Sequence, residues 1–169
     1  MAASSRPPSA DFAAAAPHPG YRPCVGLMLV KRPQQIFLGE RHGPQRNAWQ
    51  MPQGGIDPGE TPREAAWREL REEVGTDRAA LAAESRRWYA YDLPADLAMR
   101  AWRAPFRGQT QRWFGFTLLG ADQEIDITGE DSEFRRWRWA SPQEVLRLAW
   151  PPKRPVYEAV LEEFSHLLA

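Results

Sequence analysis

The chain has 169 residues, 43% of them hydrophobic, with 22 basic and 22 acidic side chains. This length and apolar content suit one globular domain around a single core and exclude a fibrous or wholly disordered chain. A formal net charge of zero offers no bulk attraction for polyanions, so a nucleotide ligand has to be held by a local site.

Met1 to about Gly20 is rich in Ala, Ser and Pro. It buries too little to offset its ordering entropy and reads as a disordered tail (residues 1–20) ahead of a domain spanning 21–169. Cys24 to Val30 is an unbroken apolar run that predicts a buried strand. Cys24 is the one cysteine, which excludes an internal disulfide and a Cys-rich zinc site and suits a small buried residue. Ile36–Glu40 predicts a second strand after a turn at Arg32-Pro33-Gln34-Gln35. A Gly/Pro-rich loop, Gln50 to Gly59, leads to the clearest helix, Pro62–Val74. Thr61 is its N-cap, Pro62 suits the first turn, Glu64 completes a capping box and Gly75 ends it. Ala66, Trp67, Leu70 and Val74 form its core face.

Arg86–Tyr91, Trp113–Leu119 and Phe134–Trp139 predict further strands. Between the first two, a connection from Leu93 to Gln109 carries Arg100, Arg103 and Arg107. Ser141-Pro142-Gln143-Glu144 repeats the cap-plus-proline signal, and Pro155–Leu168 predicts a last amphipathic helix. This order predicts an α/β sandwich, a mixed sheet between helical layers. Apolar stretches are too short to cross a membrane. No basic segment precedes an apolar core at the N-terminus, so the cytoplasm is the expected location.

The chemistry is concentrated in Arg68-Glu69-Leu70-Arg71-Glu72-Glu73. The i, i+3, i+4 spacing puts Glu69, Glu72 and Glu73 on one helix face, where like charges repel. Alone, that triplet reads as a solvated helix face softened by Arg68. A divalent cation is the other reading, because hard oxygen ligands suit magnesium or manganese bound beside phosphates.

Reading outward gives Gly54-x5-Glu60-x7-Arg68-Glu69-Leu70-x-Glu72-Glu73-x-Gly75. This resembles the Nudix box, G-x5-E-x7-R-E-U-x-E-E-x-G-U with U aliphatic, and departs from it only at Thr76. The resemblance implies a Nudix-type α/β/α sandwich and a metal-dependent pyrophosphohydrolase using Mg²⁺ or Mn²⁺, more than one ion at a time. Glu69, Glu72 and Glu73 would be metal ligands and catalytic groups, and Gly54 would contribute at the metal. Glu60, Arg68, Gly55 and Gly75 would be structural.

The flanking segments extend the resemblance. They are Gly20-Tyr21-Arg22-Pro23, Trp49-Gln50-Met51-Pro52-Gln53-Gly54-Gly55, Trp88-x2-Tyr91-x-Leu93-Pro94, Gly108-Gln109-x-Gln111-Arg112-Trp113-Phe114, Glu133-Phe134, Trp137-x-Trp139 and Lys153-Arg154-x-Val156-Tyr157. Together they are similar to the bacterial RNA pyrophosphohydrolases and their relatives, the dinucleoside polyphosphate hydrolases. The resemblance implies hydrolysis of the 5′-triphosphate end of RNA to a monophosphate, a step that promotes RNA decay. A dinucleoside polyphosphate of the diadenosine tetraphosphate type is the alternative substrate, and a non-catalytic nucleotide-binding module is a remote one. Neither DNA nor a membrane is an expected partner. Glu133 would be a fourth catalytic and metal-binding carboxylate, and Arg22, Gln109 and Lys153 would contact substrate. Pro152 departs from related sequences, which often carry an aromatic there to stack on a base.

Overall fold

The computed structural model describes residues 12–43, 49–97 and 106–169; Arg100 and Arg103 lie outside the described residues. The strands are β1 (Ala13–Ala14), β2 (Arg22–Lys31), β3 (Gln35–Arg41), β4 (Trp49–Gln50), β5 (Gln53–Gly55), β6 (Ala79–Asp92), β7 (Gly108–Leu118) and β8 (Phe134–Ala140). The α-helices are α1 (Pro62–Val74), α2 (Pro142–Leu148) and α3 (Arg154–Glu163).

The strands form one sheet in the order β1-β6-β7-β2-β3-β4, with β5 also on β2 and β8 also on β3. Among the described residues only the β2–β7 pair is parallel, so the sheet is mixed as the element order predicted. β2 explains the layering. Val25, Leu27 and Leu29 pack on one face with Ala65, Ala66, Leu70 and Val74 of α1. Met28 and Val30 pack on the other with Val156, Tyr157 and Val160 of α3. A strand covered by helices on both faces needs a continuous apolar run rather than alternation, and β2 has one.

α1 occupies the predicted span. Thr61 Oγ1 accepts from Glu64 N at 3.1 Å and Glu64 Oε2 accepts from Thr61 N at 3.0 Å, completing the capping box. Gly75 caps the other end in the left-handed region (φ 76°), and a Cβ there would lie 2.0 Å from the Asp126 carbonyl oxygen, so only glycine fits.

Three expectations change. The tail is shorter than predicted over the described residues: Ala13 and Ala14 pair with Tyr89 and Trp88, and Phe12 packs on the core. Composition could not show this, because the free edge of β6 supplies the backbone partners. β6 begins at Ala79 rather than Arg86, since pairing with β7 holds an Ala-rich segment of poor strand propensity. The last helix ends at Glu163, and Ser165–Leu168 closes the chain as a 3₁₀ turn. Trp113 is fully buried, whereas Trp137 and Trp139 are only partly so.

Candidate functional site

A cleft of about 650 Å³ opens where α1, β5 and the ends of β2, β6 and β7 meet. Gly54, Gly55, Glu69, Glu72, Glu73 and Glu133 line one part; Arg22, Gln109 and Lys153 line another. All the residues expected at the metal or substrate therefore face one space. Glu60, Arg68 and Gly75, expected to be structural, stand outside its lining.

Arg68 joins the loop to the helix. Its Nε and Nη2 donate to Glu60 Oε2 and Oε1, each at 2.8 Å, a two-pronged pairing that suits a planar guanidinium. Nη2 also donates to the Gly55 carbonyl at 2.8 Å, and Nη1 to Glu69 Oε1 at 2.8 Å and Glu72 Oε2 at 3.2 Å. The Glu60 bonds raise the Arg68 pKa and lower that of Glu60, so the link stays ionised. Arg68 thereby softens the repulsion between Glu69 and Glu72 on this helix face.

Glu69 and Glu73 are buried, whereas Glu72 is half-buried. Burial pushes the Glu69 carboxyl up to about 7 against the lowering effect of Arg68. Burial, followed by the charges of Glu133 and Glu69, pushes Glu73 up to about 8. Glu73 makes no ion pair among the described residues; Oε2 accepts a long bond from Glu133 N at 3.4 Å. The Glu133 carboxylate pairs with Arg41 Nη2 at 3.2 Å. Gly54 lies hard against Glu69: a Cβ there would sit 1.9 Å from Oε1. The glycine thus holds open a carboxylate-sized space beside its own backbone.

The opposite wall is polar. The Arg22 guanidinium lies over Gly55, whose Cβ position is 2.3 Å from Nη2. Arg22 and Gln109 are register partners in the parallel β2–β7 ladder. Buried Gln111 donates from Nε2 to Gln53 Oε1 at 2.8 Å and to Gln109 Oε1 at 2.9 Å. Both amide protons are spent, so Gln53 and Gln109 keep their oxygens toward Gln111 and their NH₂ groups elsewhere. Lys153 is buried, donates to Gln50 Oε1 at 3.0 Å and stands 5.7 Å from the Tyr91 ring centroid. Burial, then the nearby Arg41 charge, lowers its pKa to about 7. Anionic groups entering the cleft would offset that desolvation.

Sequence reasoning did not single out Arg41, Gln53, Tyr91 or Trp150 as site residues, yet all line the cleft with Trp49. The W-x2-Y-x-L-P pattern contained Tyr91, but nothing in it says which way a strand residue faces. Trp49, Tyr91 and Trp150 line the cleft, so aromatic side chains are present there although position 152 is proline.

Fit to a divalent cation rests on the donors. Among the described residues no three carboxylates converge on one point, because Glu69 and Glu72 lean on Arg68 and Glu133 on Arg41. The donor set is all hard oxygen, which suits Mg²⁺ or Mn²⁺. Buried Glu73, with no ion pair among the described residues, is the group whose ionisation most needs a cation.

The family profile described as NUDIX domain matches residues 20–160. An RNA pyrophosphohydrolase of Rickettsia canadensis (strain McKiel) is 49% identical over 148 residues, covering 88% of this chain and 92% of that protein. Its namesake from Rickettsia rickettsii (strain Sheila Smith) is 48% identical over the same shares of each chain. The solved E. coli dihydroneopterin triphosphate pyrophosphohydrolase superposes with a TM-score of 0.64 at 20% identity, covering 82% of this chain and 95% of that one. A C. elegans Ap4A hydrolase binary complex gives a TM-score of 0.60 at 16% identity, covering 85% and 98%. The two superpositions bear on the fold alone.

Proposed function

This chain belongs to the Nudix family, and on that footing we propose that it is an RNA 5′-pyrophosphohydrolase that converts triphosphorylated ends to monophosphates. One observation carries the reading. The four glutamates share a single cleft with Arg22, Gln109 and Lys153, so acidic and anion-binding groups face each other across a space of nucleotide size.

Nudix hydrolases need divalent metal ions. Here Glu69, Glu72, Glu73 and Glu133, with the Gly54 backbone, would hold Mg²⁺ or Mn²⁺, more than one ion at a time. Bound there, the cations supply charge neutralisation to the anhydride and acidify water. Arg68 braces the glutamates against the loop from behind, through Glu60 and the Gly55 carbonyl. Arg22 and Lys153 bring positive charge to phosphate oxygens from the opposite wall, and Gln109 offers its amide NH₂. Water adds to phosphorus and an anhydride bond breaks: one hydrolysis releases pyrophosphate and leaves RNA monophosphate, or two in succession, each consuming a water, release two orthophosphates and leave the same product. A buried glutamate carboxylate accepts the proton from water. No covalent intermediate is required, and positioning with electrostatics supplies most of the acceleration.

The expected location is the cytoplasm, where RNA substrates are; no described helix is long and apolar enough to cross a membrane. The test is turnover of 5′-triphosphorylated RNA and diadenosine tetraphosphate by the full chain with Mg²⁺, scored as kcat/KM. Higher efficiency on RNA, lost in Glu72→Gln, supports the reading. Higher efficiency on the dinucleotide replaces it with the alternative, and full activity of Glu72→Gln contradicts the site.

A further inference from the structure

β8 carries three arginines, Arg135, Arg136 and Arg138, on the strand beside the cleft. A register shift opposite Glu40 and Arg41 makes Arg135 an extra residue, a bulge that turns two consecutive side chains toward one partner. Arg135 Nη2 donates to Glu40 Oε1 and Arg136 Nε to Glu40 Oε2, each at 2.5 Å. Glu40 is only 1% exposed, whereas the Arg136 side chain is 64% exposed and that of Arg135 is 39% exposed. One buried carboxylate needs one cation; the second arginine leaves a positive charge over at the surface.

The surplus lies next to the cleft. The guanidinium carbons of Arg136 and Arg138 stand 5.6 and 5.8 Å from the ring centroid of Trp49, which itself lines the cleft. Arg138 is anchored from the other side by Glu144. Flat guanidinium planes fixed beside an indole, with charge to spare, are the chemistry that holds single-stranded nucleic acid: arginine for phosphates, planar groups for bases. The surface continues outward from the cleft at Trp49, where a chain trailing from a bound 5′ end would meet it.

We propose that Arg136, Arg138 and Trp49 form a landing strip for the RNA nucleotides that follow the reacting 5′ end. This rests on the RNA reading above and extends it from the reacting phosphates to the body of the substrate.

The test compares a 5′-triphosphorylated dinucleotide with a 5′-triphosphorylated single-stranded decamer of the same 5′ sequence, both with Mg²⁺. Arg136→Ala, Arg138→Ala and the double variant are assayed for KM and kcat. The expected result is a rise of about fivefold or more in decamer KM for the double variant, with dinucleotide KM within about twofold and kcat unchanged. Wild-type protein gives an independent check if removal of Arg136 unfolds the chain by exposing Glu40. Its decamer KM should rise more steeply with salt, by about 0.7 in logarithmic slope for each additional phosphate held. Equal salt slopes for the two substrates, or well-folded variants with unchanged decamer KM, overturn the strip; an acidic protein segment as its real occupant would give that second result. Wild type that hydrolyses neither RNA removes the RNA reading and the strip with it, an outcome distinct from activity on both without length dependence.

Discussion

Replacing Glu73 by Gln should make the metal-free protein more stable at alkaline pH while destroying its activity. Glu73 is buried, makes no ion pair among the described residues and has its carboxyl pushed up to about 8 by burial and by the charges of Glu133 and Glu69. In the unfolded chain a glutamate ionises at about 4.3. Between these values the folded state holds a proton that the unfolded state has released. Stability from this group is therefore full below the unfolded pKa and is lost as pH rises through the folded one. A tenfold difference in proton affinity between the two states is worth about 1.4 kcal/mol, and water entering the open cleft screens part of the effect, so about 2 kcal/mol is expected above about pH 8. That corresponds to a rise of roughly 4–8 °C in Tm for Glu73→Gln over wild type. The assay is thermal or urea unfolding in chelator at about pH 4, below the unfolded pKa, and at about pH 8.5, followed by the same measurement with Mg²⁺. At the lower pH the two proteins should be equal, and added cation should stabilise wild type far more than the variant. A variant less stable than wild type at the higher pH, or a difference independent of pH, would refute the claim that burial opposes ionisation of Glu73 in the absence of a cation.

Two other substitutions probe the cleft walls. Gly54→Ala puts a methyl group where the Glu69 carboxylate now lies, 1.9 Å from Oε1, so Glu69 has to turn away. A kcat loss of about 10-fold or more is expected with an intact circular dichroism spectrum, and unchanged kcat would show that the Glu69 position is not needed. Gln111→Leu keeps the volume but frees the Gln53 and Gln109 amides to rotate. KM should rise about three- to tenfold with kcat preserved, whereas a fall in kcat at constant KM would place Gln111 in the chemical step instead.

The parts of the fold that were legible in the sequence are those settled by neighbours along the chain. α1 has its N-cap, capping box, proline, core face and terminal glycine within one segment, and the structure reproduces each. β2 declared itself because burial on both faces demands an unbroken apolar run. Illegible were β1, β4 and β5, two or three residues each, whose existence depends on backbone partners elsewhere: Tyr89 and Trp88 for β1, Gly39 and Glu40 for β4, Cys24 to Gly26 for β5. The first half of β6 was hidden for the same reason, since alanines become a strand only when β7 lies beside them.

The same division runs through the site and separates its chemistry from its selectivity. Most of the acidic wall is a helix face plus the loop before it, so one contiguous motif spells out three of its four glutamates, down to the glycine that leaves room for Glu69; the fourth, Glu133, comes from just before β8. The anion-binding wall has no such motif, because it is made by the sheet. Arg22 and Gln109 touch the same space because β2 and β7 run parallel with these two residues in register. A parallel pairing requires the chain to cross over between the two strands, and here the crossover includes α1 and β6. Lys153 reaches the cleft from the turn before α3, and its orientation depends on Gln50 and Tyr91, each on a different strand. Substitutions in the helix motif should consequently fail alike on every polyphosphate, whereas substitutions in the sheet wall should sort substrates by what lies beyond the phosphates.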